Sequence, residues 1–220
     1  MRALKLMLPL TALGVLSACA PTFEARVARF QQMPAPQSQS FTIEPHDQAN
    51  RGGLEFATYA NYVRQKLIAN GYSEAASPQQ AALTVMLDYT VGAPREKVRT
   101  RPGVGWGGFG PGWGWNPYWG GFGGWGGFGG WGGGWGGGAD VYSVTQYNSV
   151  VALKIKRNAD DVSVFEGRAE TVSSSNNLTQ LVPNLVTAIF ANFPGNSGET
   201  VRVKFDPAKP DVAPKVTPGR

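Results

Sequence analysis

The 220-residue chain contains one cysteine, one histidine and, from residue 102 to 139, no charged side chain at all. Each scarcity excludes a class of function. Cys19 has no partner for a disulfide within the chain, so a folded domain must rest on a packed core. His46, beside Asp47, reads as a solvated side chain, and without a Cys/His cluster no zinc site is expected. No G-x-S-x-G elbow is present; Gly195-Asn196-Ser197-Gly198 reads as a turn after a helix. Gly103, Gly105 and Gly108 satisfy G-x-G-x-x-G only because the segment is glycine-rich, with no strand close before it and no helix after it. No Walker-type lysine follows a glycine run. Asp88 and the Asp160-Asp161 pair read as solubilising carboxylates. The chain is therefore expected to be no enzyme and to carry no metal or cofactor. Net charge is small too: +5 overall, and +3 once Arg2 and Lys5 are set aside. That excess is too weak for a nucleic-acid footprint.

What is present begins at the N-terminus. Arg2 and Lys5 precede an apolar run from Leu6 to Leu16, and Leu16-Ser17-Ala18-Cys19 follows. A basic start, an apolar run and small residues at a cut site form a secretory signal. The run is too short for a bilayer core of about 30 Å, which needs ~20 apolar residues. Leu-Ser-Ala-Cys resembles the bacterial lipobox, in which the cysteine is acylated and becomes the first residue of the mature chain. That resemblance makes Cys19 the expected lipid anchor. Ala20 rather than Asp after it implies the outer membrane, with the domain on its periplasmic face.

The rest divides by composition. Residues 1–18 are the expected signal peptide, 19–100 and 140–205 one α+β domain, 101–139 a Gly/Trp-rich insertion, and 206–220 a disordered, Pro- and Lys-rich tail. Ser40 to Ile43 is extended. Leu54 to Asn70 is predicted helical, with Phe56, Tyr59, Val63 and Leu67 on one face, and Asn70-Gly71 supplies its stop. Leu83 to Val91 alternates as a half-buried strand. Val151, Leu153 and Ile155 alternate likewise. Asn158 to Asp161 is a turn, and Val162 to Thr171 returns as the hairpin partner. A second helix carries Leu181, Leu185, Ile189 and Phe193 on one side, with Pro183 expected in its first turn and Pro194-Gly195 ending it. Val201, Val203 and Phe205 mark a last strand. This order predicts a small, largely antiparallel sheet with two helices on one face.

Several of these pieces resemble one bacterial lipoprotein family, domain of unknown function 4136. They are Phe41-Thr42-Ile43, Val63 to Tyr72, Ala81-Ala82-Leu83-Thr84-Val85, Phe165-Glu166-Gly167-Arg168-Ala169 and Ile189-Phe190-Ala191-Asn192-Phe193-Pro194. Members usually carry Asp where Ala82 stands and often Trp where Phe165 stands. The resemblance implies an envelope lipoprotein with a small α+β domain and assigns no activity.

All seven tryptophans lie in the insertion. From Trp119 to Trp131 an aromatic recurs every third residue, as Trp119, Phe122, Trp125, Phe128 and Trp131, with glycine everywhere between; Trp135 follows. A helix would need a 3.6 period and would be penalised ~1 kcal/mol per glycine. A strand would scatter these aromatics over both faces. Two forms remain: a flexible glycine loop, or an extended threefold helix with the aromatics on one ridge, about 9 Å apart. A linker that merely spans needs no indoles. Tryptophan favours the membrane–water boundary and stacks on sugars, so Trp119, Phe122, Trp125, Phe128, Trp131 and Trp135 are expected contact residues. Membrane interface or cell-wall glycan (peptidoglycan) is the first expectation, self-association through stacked aromatics the second, and compositional drift without a partner the third. The expected protein is an envelope lipoprotein with a binding or structural role.

Overall fold

The alternation read at Leu83–Val91 is a strand, and its apolar side is sealed: Leu83, Val85 and Leu87 are buried. The computed structural model describes residues 22–101 and 140–219, apart from 34 and 36–38. In chain order these form β1 (Phe23–Gln31), β2 (Ser40–Pro45), α1 (Leu54–Ala69), β3 (Ser73–Glu74), β4 (Leu83–Val91) and β5 (Arg95–Arg101). There follow β6 (Asp140–Arg157), β7 (Val162–Ser173), α2 (Leu178–Phe190), β8 (Glu199–Phe205) and β9 (Lys215–Pro218). Cys19 and the six aromatics from Trp119 to Trp135 lie outside the described residues.

Two units are distinguished. One comprises residues 1–93 and 147–220, the other 94–146. In the first, eight strands run in the order β3-β2-β4-β6-β7-β1-β8-β9; β5 stands off this path and pairs with β6. The small, largely antiparallel sheet expected is thus a large mixed one. The β2–β4 and β2–β3 pairs are parallel, the others antiparallel. The physical reason is the connection: α1 carries the chain from β2 back over the sheet, and a crossover of that length permits parallel pairing.

Cross-strand register puts one apolar row beside the next. Val85 faces Ile155, Leu87 faces Leu153, and Tyr89 faces Val151. Val151 faces Ala169, which faces Val27, which faces Val201. Both helices cover this inner face. Tyr59 of α1 stacks edge-on against Tyr89 at 4.8 Å, and Ile189 of α2 lies over Gly167. Tyr59, Val63 and Leu67 are buried from α1; Leu185, Val186 and Ile189 are buried from α2. Each large aliphatic side chain so buried contributes roughly 1.5–3 kcal/mol of transfer free energy.

The helix ends follow local chemistry. Asn70 Nδ2 donates to the Lys66 carbonyl at 2.8 Å. Gly71, at φ +90°, then turns the chain so that the Tyr72 amide reaches the Leu67 carbonyl. At α2, Asn177 Oδ1 accepts from the Thr179 amide at 3.1 Å. The helix starts at Leu178, so Pro183 sits sixth and not in the first turn as expected. It ends at Phe190, before Pro194-Gly195.

Three elements depart from the sequence reading. β1 was not anticipated, because its third inward position is Arg29, which interrupts an apolar alternation. β6 begins at Asp140 rather than near Val151, extended by its pairing with β5. The tail expected to be disordered from Asp206 contains β9, whose Lys215–Pro218 pairs antiparallel with Val201–Lys204. β9 forms because the β8 edge offers free backbone groups, which pairing satisfies regardless of side-chain composition.

Candidate functional site

Period two recurs in β5, but with cations. Arg95, Lys97 and Arg99 lie opposite Gln146, Val144 and Tyr142 of β6. Directly opposed residues of an antiparallel pair share a face, so these six form one side of a two-stranded ribbon. Glu96 and Val98, opposite Thr145 and Ser143, form the other. Residues 95–99 are all exposed, and Tyr142 is 40% exposed. Among the residues whose side chains are described, none forms an ion pair with Arg95, Lys97 or Arg99. Cations two residues apart on a strand are separated by ~7 Å, so all three sit within about one to two Debye lengths at physiological salt. Their charge therefore acts as a patch. The sequence reading placed these residues in the α+β domain without assigning them an element; R-E-K-V-R, alternating at period two, is the signal that marks them.

Within the first unit, the outer face of the sheet carries no helix. A concavity of about 400 Å³ lies there. Ala28 and Ala152 keep its floor low, and Phe30 and Met86 are among its apolar lining. Phe30 is 61% exposed. Asp88, Lys154, Glu166, Arg168 and His46 also border it. Lys154 Nζ lies 2.9 Å from Glu166 Oε1. That hydrogen bond, with a second from Ser163, holds the Glu166 carboxyl below its ordinary range. His46, expected to be solvated, is exposed. Among the described residues no group of three or more His, Cys, Asp or Glu could hold a metal ion.

A polar cluster is buried on the opposite, helix-covered side. Arg29 is fully buried; its Nη1 donates to the carbonyls of Ala191 at 3.0 Å and Asn192 at 3.3 Å, just past the end of α2. Its Nε lies 3.3 Å from Glu199 Oε1. Burial pushes the guanidinium below its ordinary range, with Glu199 acting in the other direction. Gly195, at φ +75°, passes so close that a Cβ there would meet Arg29 Cδ at 2.6 Å. Gln31 Nε2 donates to the Gly195 carbonyl at 3.1 Å, and Ser197 Oγ accepts from the Gln31 amide at 3.0 Å. Arg29 thus ties β1 to the α2–β8 connection. Its contacts are all internal, which makes the cluster a structural clamp.

No helix among the described residues is long and apolar enough to cross a membrane.

The family model described as domain of unknown function 4136 matches residues 27–195. An uncharacterized protein of Zymomonas mobilis subsp. mobilis is 32% identical over 210 residues, covering 81% of this chain and 79% of that protein. Among solved structures, a PDZ domain protein from Parabacteroides distasonis is 12% identical with a TM-score of 0.47; the match covers 83% of this chain and 38% of that one. A PelC dodecamer from Paraburkholderia phytofirmans is 10% identical with a TM-score of 0.37, covering 75% and 93%. The family match takes in both helices and the strands from Val27 of β1 to β7, so the residues quoted above for their resemblance stand in a chain that belongs to the family described as domain of unknown function 4136.

Proposed function

We propose that the protein is a lipid-anchored envelope protein, held at the outer membrane through Cys19, whose Trp/Gly insertion contacts a membrane interface or cell-wall glycan. One observation carries this reading. Within the first unit, Phe23, Tyr147, Ser173 and Val91 lie at one end of the sheet, because β1, β4, β6 and β7 pair in that register. The chain leaves this unit at Ala93 and re-enters it at Tyr147, so the ribbon that carries the insertion departs from the end where β1 begins. Three residues separate Cys19 from Phe23, and those four Cα-to-Cα steps span at most ~14 Å when extended. An acylated Cys19 would thus hold the sheet end from which the ribbon departs close to the bilayer.

Two measurements test the reading. Palmitate label should enter the wild-type chain and be absent from Cys19→Ala; label persisting on the variant would end the anchor assignment. The chain from residue 20 should pellet with purified sacculi or outer-membrane lipid vesicles, and lose that on deletion of residues 102–139. Failure to pellet with either, together with concentration-dependent sedimentation lost on replacing Trp119, Phe122, Trp125, Phe128 and Trp131 by Ser, would favour self-assembly instead.

A further inference from the structure

We infer that the basic face of the β5–β6 ribbon is a docking surface for an anionic membrane, recognising the phosphate groups of lipid headgroups. The inference rests on the envelope reading above and decides between its two contact surfaces.

Geometry singles out this face. Arg95, Lys97 and Arg99 fall on one side of a two-stranded ribbon, exposed and without ion-pair partners among the described residues. The one acid of β5, Glu96, is on the opposite side; the acid of the basic face is Asp140, opposite Arg101, and beyond that pair Arg95, Lys97 and Arg99 leave an excess of three cations. A ribbon whose sole purpose was to carry the insertion would gain nothing from segregating its charges. Five cations elsewhere on the sheet are paired instead. Lys154, Lys156, Arg157, Arg202 and Lys204 each have a carboxylate within 3.1 Å. The uncharged sugar rings of a glycan offer such a face no counter-charge. An anionic bilayer does, and it attracts each nearby Lys or Arg by ~1 kcal/mol, equivalent to about fivefold in affinity. Tyr142 and Val144, on the same face, suit the boundary at which headgroup phosphates meet acyl chains. Three cations on a strand reach a planar array of phosphates together; a pocket for one free phosphate would instead converge them.

The test uses the chain from residue 20 and two kinds of vesicle, phosphatidylcholine alone and phosphatidylcholine mixed with phosphatidylglycerol. The wild-type chain should prefer the mixed vesicles, and the preference should shrink as salt rises. R95Q/K97Q/R99Q, with the insertion intact, should lose on the order of 100-fold in affinity for the mixed vesicles. Lys97→Gln alone should lose about fivefold, and Glu96→Gln, on the other face, should lose nothing. Unchanged far-ultraviolet circular dichroism would certify the fold of each variant. Equal binding to both vesicles, no binding to either, or a triple variant that binds like wild type would overturn the inference. So would a charge-dependent preference for soluble polyanions such as heparin over the vesicles. None of these outcomes touches palmitate labelling of Cys19 or pelleting with sacculi, so the ribbon can fail while the anchor and insertion stand.

Discussion

β4 and β5 pair with successive stretches of one strand, β4 with Ser149–Arg157 and β5 with Asp140–Gln146. Both alternate at period two. In β4 the alternate positions are Leu83, Val85 and Leu87, and helices cover them. In β5 they are Arg95, Lys97 and Arg99, and they are exposed. The period therefore writes the strand, and the chemistry of the repeated position writes its environment. The same backbone ladder serves a core in one case and an exposed cationic face in the other.

The sharpest break of that comparison would come from the core side. Leu153→Ala opens a cavity beneath both helices and should lower unfolding free energy by about 2–5 kcal/mol, read from the urea midpoint. The ribbon substitution Arg99→Gln should move the same midpoint by no more than ~0.5 kcal/mol. Comparable effects at both sites would abolish the distinction drawn here.

Next in size is Gly195→Ala. The added Cβ meets Arg29 and must sit at positive φ, so a loss of about 1–3 kcal/mol is expected. Replacing residues 102–139 by Asn-Gly joins Arg101 to Asp140, which already face each other in register. A two-residue hairpin turn suits that junction. Shortening the loop should raise stability by about 2 kcal/mol or less, measured by thermal melting. Loss of cooperative melting would instead make the insertion part of the core.

The smallest effect is a pH dependence. Burial, and then the hydrogen bond Tyr59 donates to Glu55 at 3.1 Å, push the phenol up to about 12 from its ordinary 10. The folded state thus keeps a proton that the unfolded state gives up. The stability this contributes is complete below pH 10 and is lost as pH rises from there toward about 12. Tyr59→Phe should flatten that alkaline decline, seen as a shallower fall of the urea midpoint with pH. An equally steep fall would assign it to other groups.

Both helices, the strands at Ser40–Ile43, Leu83–Val91, Val162–Thr171 and Thr200–Phe205, and the Asn158–Asp161 turn were legible, because apolar spacing and turn chemistry agreed there. The parallel β2–β4 pair was legible in principle, since α1 between them is a crossover. β1 was hidden by Arg29, whose guanidinium finds carbonyls and Glu199 only in the tertiary structure. β9 was hidden because Pro- and Lys-rich composition reads as coil unless a strand edge is waiting for it. Charge patterning in Arg95–Arg99 was visible but carried no apolar signal. Composition put the expected contact residues Trp119 to Trp135 on the page. The basic face of the ribbon on either side of them needed the register.

The sheet of the first unit ends in β3, two residues long, and β9, four residues long and closed by Pro218. Proline gives no amide to an incoming strand, and Lys215 repels a like neighbour. Molecules crowded side by side would find only a short template at either edge. Colloidal behaviour is thereby uncoupled from stickiness: a chain carrying seven tryptophans can be concentrated without nucleating intermolecular β-structure through this sheet.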